Sequence, residues 1–246
     1  MSRVRLLAVP VDPISFPELL AEVADAVSAR QRRLITYANV HVLNQSATDE
    51  GLRAFLNRAD RVFCDGNGVR LGARLLGAEL PHRMTGADWI WELAERAARE
   101  GWRLYWIGGE PGVTEAAAEA LKARFPALIL GFDHGFHARS GPEDEACVQA
   151  INDFYPDIIL VGMGTPEQER WVEARAGRLQ APVIWCLGAT ADFVSGRVRR
   201  GPRWLTDRAE WLDRLVSDPG RLWRRYLLGN GLFLARVLAS RIRGEA

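Results

Sequence analysis

The chain has 246 residues, of which 48% are hydrophobic, 26% charged and 9% aromatic, and its formal net charge is +1. This composition is typical of one large globular domain, or of one domain with an appendage, and excludes a disordered chain. A net charge near zero gives no overall attraction to nucleic acid or to anionic lipid.

The predicted elements alternate between strands and helices over residues 1–196. Short apolar runs predict strands at 5–9, 34–38, 61–64, 104–107, 127–130, 158–162 and 183–187. Amphipathic patterns predict helices at 16–29, 88–100, 113–125 and 166–178. The alternation predicts an α/β fold with a Rossmann-like, mostly parallel sheet and helices on both faces. Ligands of such sheets bind beyond the carboxyl ends of the strands, so the residues that follow each strand are the functional candidates.

Residues 197–246 differ from the rest of the chain in pattern and in charge. Their apolar residues recur at helical spacing, which predicts an α-helical C-terminal appendage to a catalytic domain of residues 1–196. They contain 12 arginines and 5 acidic residues, a net charge of +7, whereas residues 1–196 contain 20 basic and 26 acidic residues, a net charge of −6. Tryptophans among these arginines favour a membrane surface; nucleic acid and a merely solvated helical face are the alternatives.

Counts of single residue types exclude several kinds of chemistry. Lys122 is the only lysine, and the chain has neither a GxxxxGK[ST] loop nor an evident Schiff-base lysine. The three cysteines form no CxxC motif, which is typical of a reducing cytoplasm. Asp133, His134 and His137 form a DHxxH pattern, for which metal ligation and a solvated loop are the two interpretations. The chain has neither a secretory signal nor an apolar run of membrane-spanning length, so we expect a cytoplasmic protein.

Three loops after predicted strands carry the residues that favour a function. Gly108 and Gly109 begin a GGEPG segment that could receive a diphosphate, the alternative being a tight strand–helix turn. Asp65, in VFCDGNG, could act as a general base or could cap the next helix. In GTPEQE, Thr165 could cap a helix, and Gln168 could bind sugar hydroxyls or merely belong to the helix start.

Longer motifs cover nearly the whole chain. They are TYANVHVLNQS, ADRVFCDGNGVRLGARLLG, RMTGADWIWELAERAAREGWRLYWIGGEPGV, PDIILVGMGTPEQERWV and GATADFVSGRVRRGPRWLTDRAEWLDRLVSDPGRLWRRYLLGNGLFL. On these motifs the chain resembles the WecG/TagA/CpsF family of bacterial glycosyltransferases. The resemblance implies an inverting, metal-independent enzyme without a cofactor, which moves a sugar from a UDP-sugar to a polyprenyl-diphosphate-linked saccharide at the cytoplasmic membrane face, with no nucleic-acid partner.

The resemblance also implies roles for single residues. Asp65 resembles the family's proposed general base, and Thr36, Asn39, Arg83 and Gln168 match positions that hold substrate around it.

Further positions are expected to contact the diphosphates. The Gly108–Gly109 loop, Phe136 and Asp192 fall where the UDP moiety is expected. The appendage is expected to complete the active site and to bind membrane. Arginines of the appendage are expected to offset the charge of a leaving diphosphate because the chain lacks a D-x-D metal motif; they are Arg214, Arg221 and Arg224.

Two other classes of protein compete with this interpretation. One is a non-catalytic nucleotide-sugar-binding or scaffold protein of a polysaccharide assembly complex. The other is a nicotinamide-dependent oxidoreductase, which the absence of GxGxxG disfavours. The sequence leaves open the transferred sugar, the acceptor sugar, the final polymer and the oligomeric state.

Overall fold

A computed structural model describes residues 2–138, 140–198, 220 and 223–244 of the chain. Its strands are β1 (Val4–Leu6), β2 (Val9–Val11), β3 (Arg33–Ala38), β4 (Arg61–Cys64), β5 (Arg103–Gly108), β6 (Ile129–Asp133), β7 (Ile158–Gly162) and β8 (Val183–Cys186). Its helices are α1 (Phe16–Ser28), α2 (Val40–Ser46), α3 (Glu50–Arg58), α4 (Asn67–Leu75), α5 (Gly86–Glu100), α6 (Val113–Arg124), α7 (Pro142–Asp153), α8 (Glu167–Arg175), α9 (Thr190–Val194) and α10 (Gly229–Arg243), the last preceded by a π-helical segment, Arg224–Leu228.

Six parallel strands form the main sheet, in the order β4-β3-β8-β7-β5-β6, and helices flank it. Strands β7 and β8 are buried along their whole length, as expected for central strands covered on both faces. The predicted α/β fold with a Rossmann-like parallel sheet and a helical C-terminal segment is therefore confirmed.

Two strand predictions differ from the structure. The strand expected at 5–9 is a hairpin instead, because Leu7 and Ala8 adopt positive φ angles of 49° and 66° between the antiparallel strands β1 and β2. The strand expected at 127–130 begins two residues later, because pairing with β5 starts at Ile129, whereas Leu128 belongs to a turn in which its N–H bonds to Phe125 O at 2.9 Å.

The chain forms two compact units. The first comprises residues 1–15, 37–85 and 199–246, and the second comprises residues 16–36 and 86–198, so the division falls inside β3. The second unit has an aromatic core in which Trp89 stacks on Trp185 with ring centroids 4.4 Å apart, and on Phe16 at 5.7 Å. The domain boundary expected after Gly196 stays a prediction.

Helix α10 packs within the first unit against α2 and α4. Phe233 and Val237 are buried, and Gly72 of α4 lies so close that a Cβ atom there would be 2.6 Å from the Phe233 ring. At the polar edge of this contact, Arg236 Nη1 donates to Asn44 O at 2.7 Å. Helix α10 is thus part of the first unit's core. Among the described residues, no helix is long and apolar enough to cross a membrane.

Candidate functional site

In the first unit, Asp65 stands directly after strand β4 and is half-buried. Its backbone N–H donates to Ala38 O, the last residue of β3, at 2.9 Å. Its side-chain Oδ2 accepts a hydrogen bond from Asn39 Nδ2 at 3.2 Å. The structure therefore brings together two of the predicted residues, Asp65 and Asn39, which are 26 positions apart in the chain.

The orientation of the Asn39 amide is determined by its own backbone. Asn39 is the N-cap of helix α2, and its Oδ1 accepts from the Val42 N–H at 3.0 Å. Because a backbone N–H can only donate, Oδ1 must face the helix and Nδ2 must face Asp65. Asn39 thus offers a donor to the Asp65 carboxylate and leaves that carboxylate the acceptor of the pair.

The chain after Asp65 requires glycine at two positions, Gly66 and Gly68. Gly66 has φ +117°, a conformation that favours glycine, and it occupies the N-cap position of α4 without a side-chain cap. Asp65 therefore does not occupy the N-cap position, and its role as a general base stays a prediction. Gly68 lies in the first turn of α4, where a Cβ atom would be 2.6 Å from Val40 Cγ2, so this glycine allows α4 to approach the start of α2.

Two arginines lie around the strand end that carries Asp65. Burial and the charge of Asp65 together raise the pKa of the Cys64 thiol to about 12, against the charges of Arg70 and Arg83, which lower it. The Met84 N–H donates to Cys64 O at 2.8 Å, which holds the segment containing Arg83 beside β4. The sequence predicted Arg83 but not Arg70, whose position three residues into α4 gave no signal of its own.

In the second unit, the Gly108–Gly109 loop is closely packed against its neighbours. Gly108 has φ +145°, and a Cβ atom there would collide with the carbonyl of Gly162 at the end of β7. The Gly109 N–H donates to Gly162 O at 2.9 Å, and Gly109 O accepts from the Gly135 N–H at 2.9 Å. Backbone packing by itself thus accounts for these glycines, and their predicted contact with UDP stays a prediction.

Gln168 is fully buried, at 0% exposure. Its Oε1 accepts from the Gly188 N–H at 3.0 Å, and its Nε2 donates to Glu169 Oε1 at 2.7 Å. Thr165 does not cap α8 as expected: Pro166 occupies the N-cap position, and the Thr165 hydroxyl bonds to Glu169 Oε1 at 3.0 Å. The protein itself therefore uses both ends of the Gln168 amide.

Glu169 is a residue that sequence reasoning missed. It is 1% exposed, and burial raises the pKa of its carboxyl to about 7 against hydrogen bonds from Gln168 and Thr165 that lower it. Thr36 is also fully buried, beside the Cys186 thiol, whose pKa burial raises far above its ordinary value. Contact of Thr36 with substrate stays a prediction.

The loop that follows β6 presents Phe136 to solvent, with 65% of its surface exposed. Next to it, the His134 and His137 rings stack at 4.2 Å, and His137 Nε2 lies 3.2 Å from Asp133 Oδ2. The three side chains are close enough to share a cation. However, His134 Nδ1 accepts from the Phe136 N–H at 3.2 Å, so the neutral ring carries its proton on Nε2 and offers no free lone pair. In this arrangement the cluster provides two ligand atoms rather than three.

Asp192 lies in the first turn of α9, near Arg197. The Arg197 Nε atom is 4.0 Å from Asp192 Oδ1, and its Nη2 atom is 2.7 Å from Glu110 Oε2 in the GGEPG loop. All three side chains are partly exposed, so this ion-pair group is accessible to solvent, and contact of Asp192 with UDP stays a prediction. Of the predicted appendage arginines, Arg214 and Arg221 and the side chain of Arg224 lie outside the described residues.

A parallel sheet with a carboxylate and glycine-rich loops directly after its strands defines the class of α/β proteins that bind ligands at strand ends. Within that class, the sequence model of the glycosyl transferase WecG/TagA/CpsF family matches residues 4–246. The chain belongs to this family and is a glycosyltransferase.

Similar curated proteins include several from Staphylococcus aureus. The chain is 27% identical to the N-acetylglucosaminyldiphosphoundecaprenol N-acetyl-beta-D-mannosaminyltransferase of strain MW2, over 91% of this chain and 88% of the relative. The proteins of the same name in strains NCTC 8325 and MRSA252 match with the same identity and coverage.

Proposed function

We propose that this glycosyltransferase moves a sugar from a UDP-sugar to a polyprenyl-diphosphate-linked saccharide, with inversion at the anomeric carbon, and that Asp65 is its general base. The observation that supports this most is the half-buried Asp65 carboxylate, which accepts from Asn39 Nδ2 at 3.2 Å. A base held as a hydrogen-bond acceptor at the end of a strand is oriented to take a proton.

The proposed step is a single displacement. The acceptor hydroxyl gives its proton to an Asp65 carboxylate oxygen while the hydroxyl oxygen attacks the anomeric carbon of the donor. The bond from that carbon to the diphosphate oxygen breaks, and UDP leaves with the electron pair. One displacement inverts the anomeric centre, and Asp65 ends the step protonated. A base in this role contributes about 10²–10⁴-fold to the rate.

The names of the relatives indicate the substrates. Those proteins transfer N-acetylmannosamine to an N-acetylglucosaminyl-diphospho-undecaprenol. For this chain we therefore propose UDP-N-acetylmannosamine as donor and a lipid-linked N-acetylglucosamine diphosphate as acceptor, in cell-surface polysaccharide synthesis.

A panel of UDP-sugars, each tested with a short-chain prenyl-diphosphate N-acetylglucosamine, examines this proposal. We expect UDP release with UDP-N-acetylmannosamine only when the acceptor is present. UDP release with a different UDP-sugar would identify that UDP-sugar as the donor instead. UDP binding without transfer to any acceptor would instead favour the non-catalytic nucleotide-sugar-binding protein.

The charge of the leaving UDP needs a counter-charge, and we propose that arginines supply it without a metal ion. The candidates remain Arg214, Arg221 and Arg224. Replacing all three with alanine is expected to reduce turnover or acceptor binding by at least tenfold. Arg170→Ala, an exposed arginine on α8 that pairs with Glu167 at 3.3 Å, serves as the matched control. Unchanged turnover together with unchanged acceptor binding in the triple variant, or full loss of activity in EDTA, would contradict the proposal.

Helix α10 supports a peripheral position at the membrane. Three large apolar side chains on it are exposed, namely Leu232 at 49%, Leu238 at 46% and Ile242 at 86%. At about 100° per residue they fall on one side of the helix, opposite the buried Phe233 and Val237. An apolar stripe on a helix that is already anchored on its other face fits insertion into the headgroup region of a bilayer.

The chain's own arginines qualify this picture. Arg236 and Arg241 of α10 donate to the carbonyls of Asn44 and Leu75 at 2.7 Å each, so they hold the helix to the first unit rather than to lipid. The attraction to an anionic surface is therefore expected from the other arginines of residues 197–246.

Sedimentation with vesicles tests this surface. Replacing Leu232, Leu238 and Ile242 with serine is expected to lower binding to phosphatidylglycerol vesicles at least tenfold. Tyr155→Ser, which removes an aromatic side chain that is 69% exposed from the second unit, is expected to leave binding unchanged. Equal binding of the triple variant and the original protein would contradict the proposed membrane face.

A further inference from the structure

Glu169 is a buried acid that the proposed reaction does not use. Its Oε1 atom accepts hydrogen bonds from Gln168 Nε2 and from Thr165 Oγ1. Its Oε2 atom is buried and has no hydrogen-bond partner among the described residues. Burying a carboxyl costs free energy even when one of its oxygens is hydrogen-bonded. Other interactions of Glu169 are therefore expected to offset this cost.

The hydrogen bonds around Glu169 have a fixed direction. The Gly188 N–H can only donate, and it donates to Gln168 Oε1, so the other end of that amide must be Nε2 and must face Glu169. Glu169 is the acceptor that completes this orientation. Without it, Gln168 Nε2 and the Thr165 hydroxyl would lose the oxygen to which both donate.

This hydrogen-bonded chain connects two loops. Thr165 belongs to the loop after β7, and Gly188, with φ +61°, belongs to the loop after β8. Strands β7 and β8 are paired neighbours in the sheet. The side chains of Gln168 and Glu169 therefore join the backbone of one strand-end loop to the side chain of the other.

We propose that Glu169 is a positioning residue that orients the Gln168 amide toward Gly188 and so holds together the loops that follow β7 and β8. Loops at the carboxyl ends of parallel strands are the ligand-binding elements of such sheets. We call the hydrogen-bonded chain from Thr165 through Glu169 and Gln168 to Gly188 the brace. Its role in sugar transfer rests on the proposed function, whereas its role in ordering the loops does not.

The surroundings of Glu169 fit a neutral carboxyl. Burial raises its pKa to about 7, and the positive charge of Arg170 on the same helix acts against this rise. The Cys186 thiol on β8 faces Glu169. Burial raises the pKa of this thiol, so it stays protonated. A glutamine at position 169 would keep the accepting oxygen and would replace the second oxygen with an uncharged group, so it should preserve the brace.

Amide hydrogen exchange at Gly188, measured on the full chain without substrate, tests the proposal. We expect Glu169→Leu to speed exchange at Gly188 at least tenfold and to lower kcat at least tenfold, while Glu169→Gln stays within about threefold of the original protein in both. Glu167→Gln, an exposed neighbour on the same helix, is the matched control. If the leucine variant does not fold, Glu169→Asp withdraws the carboxyl by one methylene and is expected to speed Gly188 exchange in the same way.

Unchanged Gly188 exchange in both the leucine and the aspartate variants would overturn the proposal, as would a glutamine variant as impaired as the leucine variant. Because hydrogen exchange at Gly188 is measured without turnover, it tests the brace even if the reaction is not the one proposed. Faster exchange with no detectable transferase activity in the original protein would count against the proposed function alone.

Discussion

Glu169→Gln should change how the stability of the protein depends on pH. The ordinary pKa of a glutamate is 4.5, and burial raises that of Glu169 to about 7. A carboxyl whose pKa is raised on folding stabilises the fold fully below about pH 4.5, and this contribution is lost as the pH rises through about 7. The difference between the two pKa values corresponds to about 3 kcal/mol, with no reduction for solvent screening because the side chain is 1% exposed.

The assay is urea unfolding of the original protein and the glutamine variant in parallel, from about pH 4 to about pH 8. All other titrating groups are shared, so they cancel in the difference. We expect the unfolding free energy of the original protein to fall relative to the variant by about 3 kcal/mol over this range. In thermal unfolding, each kcal/mol corresponds to a change of roughly 2–4 °C in Tm. Glu167→Gln, with an exposed side chain, should show no such trend. A difference between Glu169→Gln and the original protein that is constant with pH would refute the argument.

Two further predictions concern the packing of the first unit. Phe233→Ala empties a fully buried position and is expected to lower the unfolding free energy by about 3–5 kcal/mol, whereas Leu232→Ala on the exposed side should change it by less than about 0.5 kcal/mol; urea midpoints measure both. Gly68→Ala places a Cβ atom against Val40 and should cost about 1–3 kcal/mol and reduce turnover, with recovery on adding Val40→Ala. Gly177→Ala, where a Cβ atom meets open space, is the control, and a neutral Gly68→Ala would contradict the packing argument.

The central strands could be predicted because burial on both faces leaves a continuous apolar run in the sequence, and helices α1, α5, α6 and α8 could be predicted because their sequences are amphipathic. Strands β4 and β7 have the predicted bounds, residue for residue. Helices α2, α3 and α7 were not predicted. Helices α2 and α3 are short, with 7 and 9 residues, and α7 buries the polar residues Asp144 and Asn152, which obscures its apolar pattern. The N-caps of α2 and α3 carry the signal that could have found them: Asn39 and Asp49 each accept the N–H three residues ahead.

Features that depend on tertiary contacts could not be predicted from the sequence. The turn at Leu7 and Ala8 contains no glycine or asparagine, so nothing local marks it as a hairpin. Glu169 stands in the first turn of a helix, where an acidic residue is expected for the helix dipole and is ordinarily exposed. Only the folded chain shows that it is buried. The pairing of Asp65 with Asn39 likewise needs the neighbouring ends of β3 and β4, although the family resemblance indicated both residues.

One measurement tests directly whether Asp65 is the base. Turnover of UDP-N-acetylmannosamine with lipid-linked acceptor is compared between the original protein, Asp65→Asn and Asp153→Asn, an exposed aspartate on α7. Asp65→Asn should keep its fold and its donor binding and lose about 10²–10⁴-fold in kcat, while Asp153→Asn stays at the original rate. An Asp65→Asn variant that keeps most of its activity would contradict the central claim.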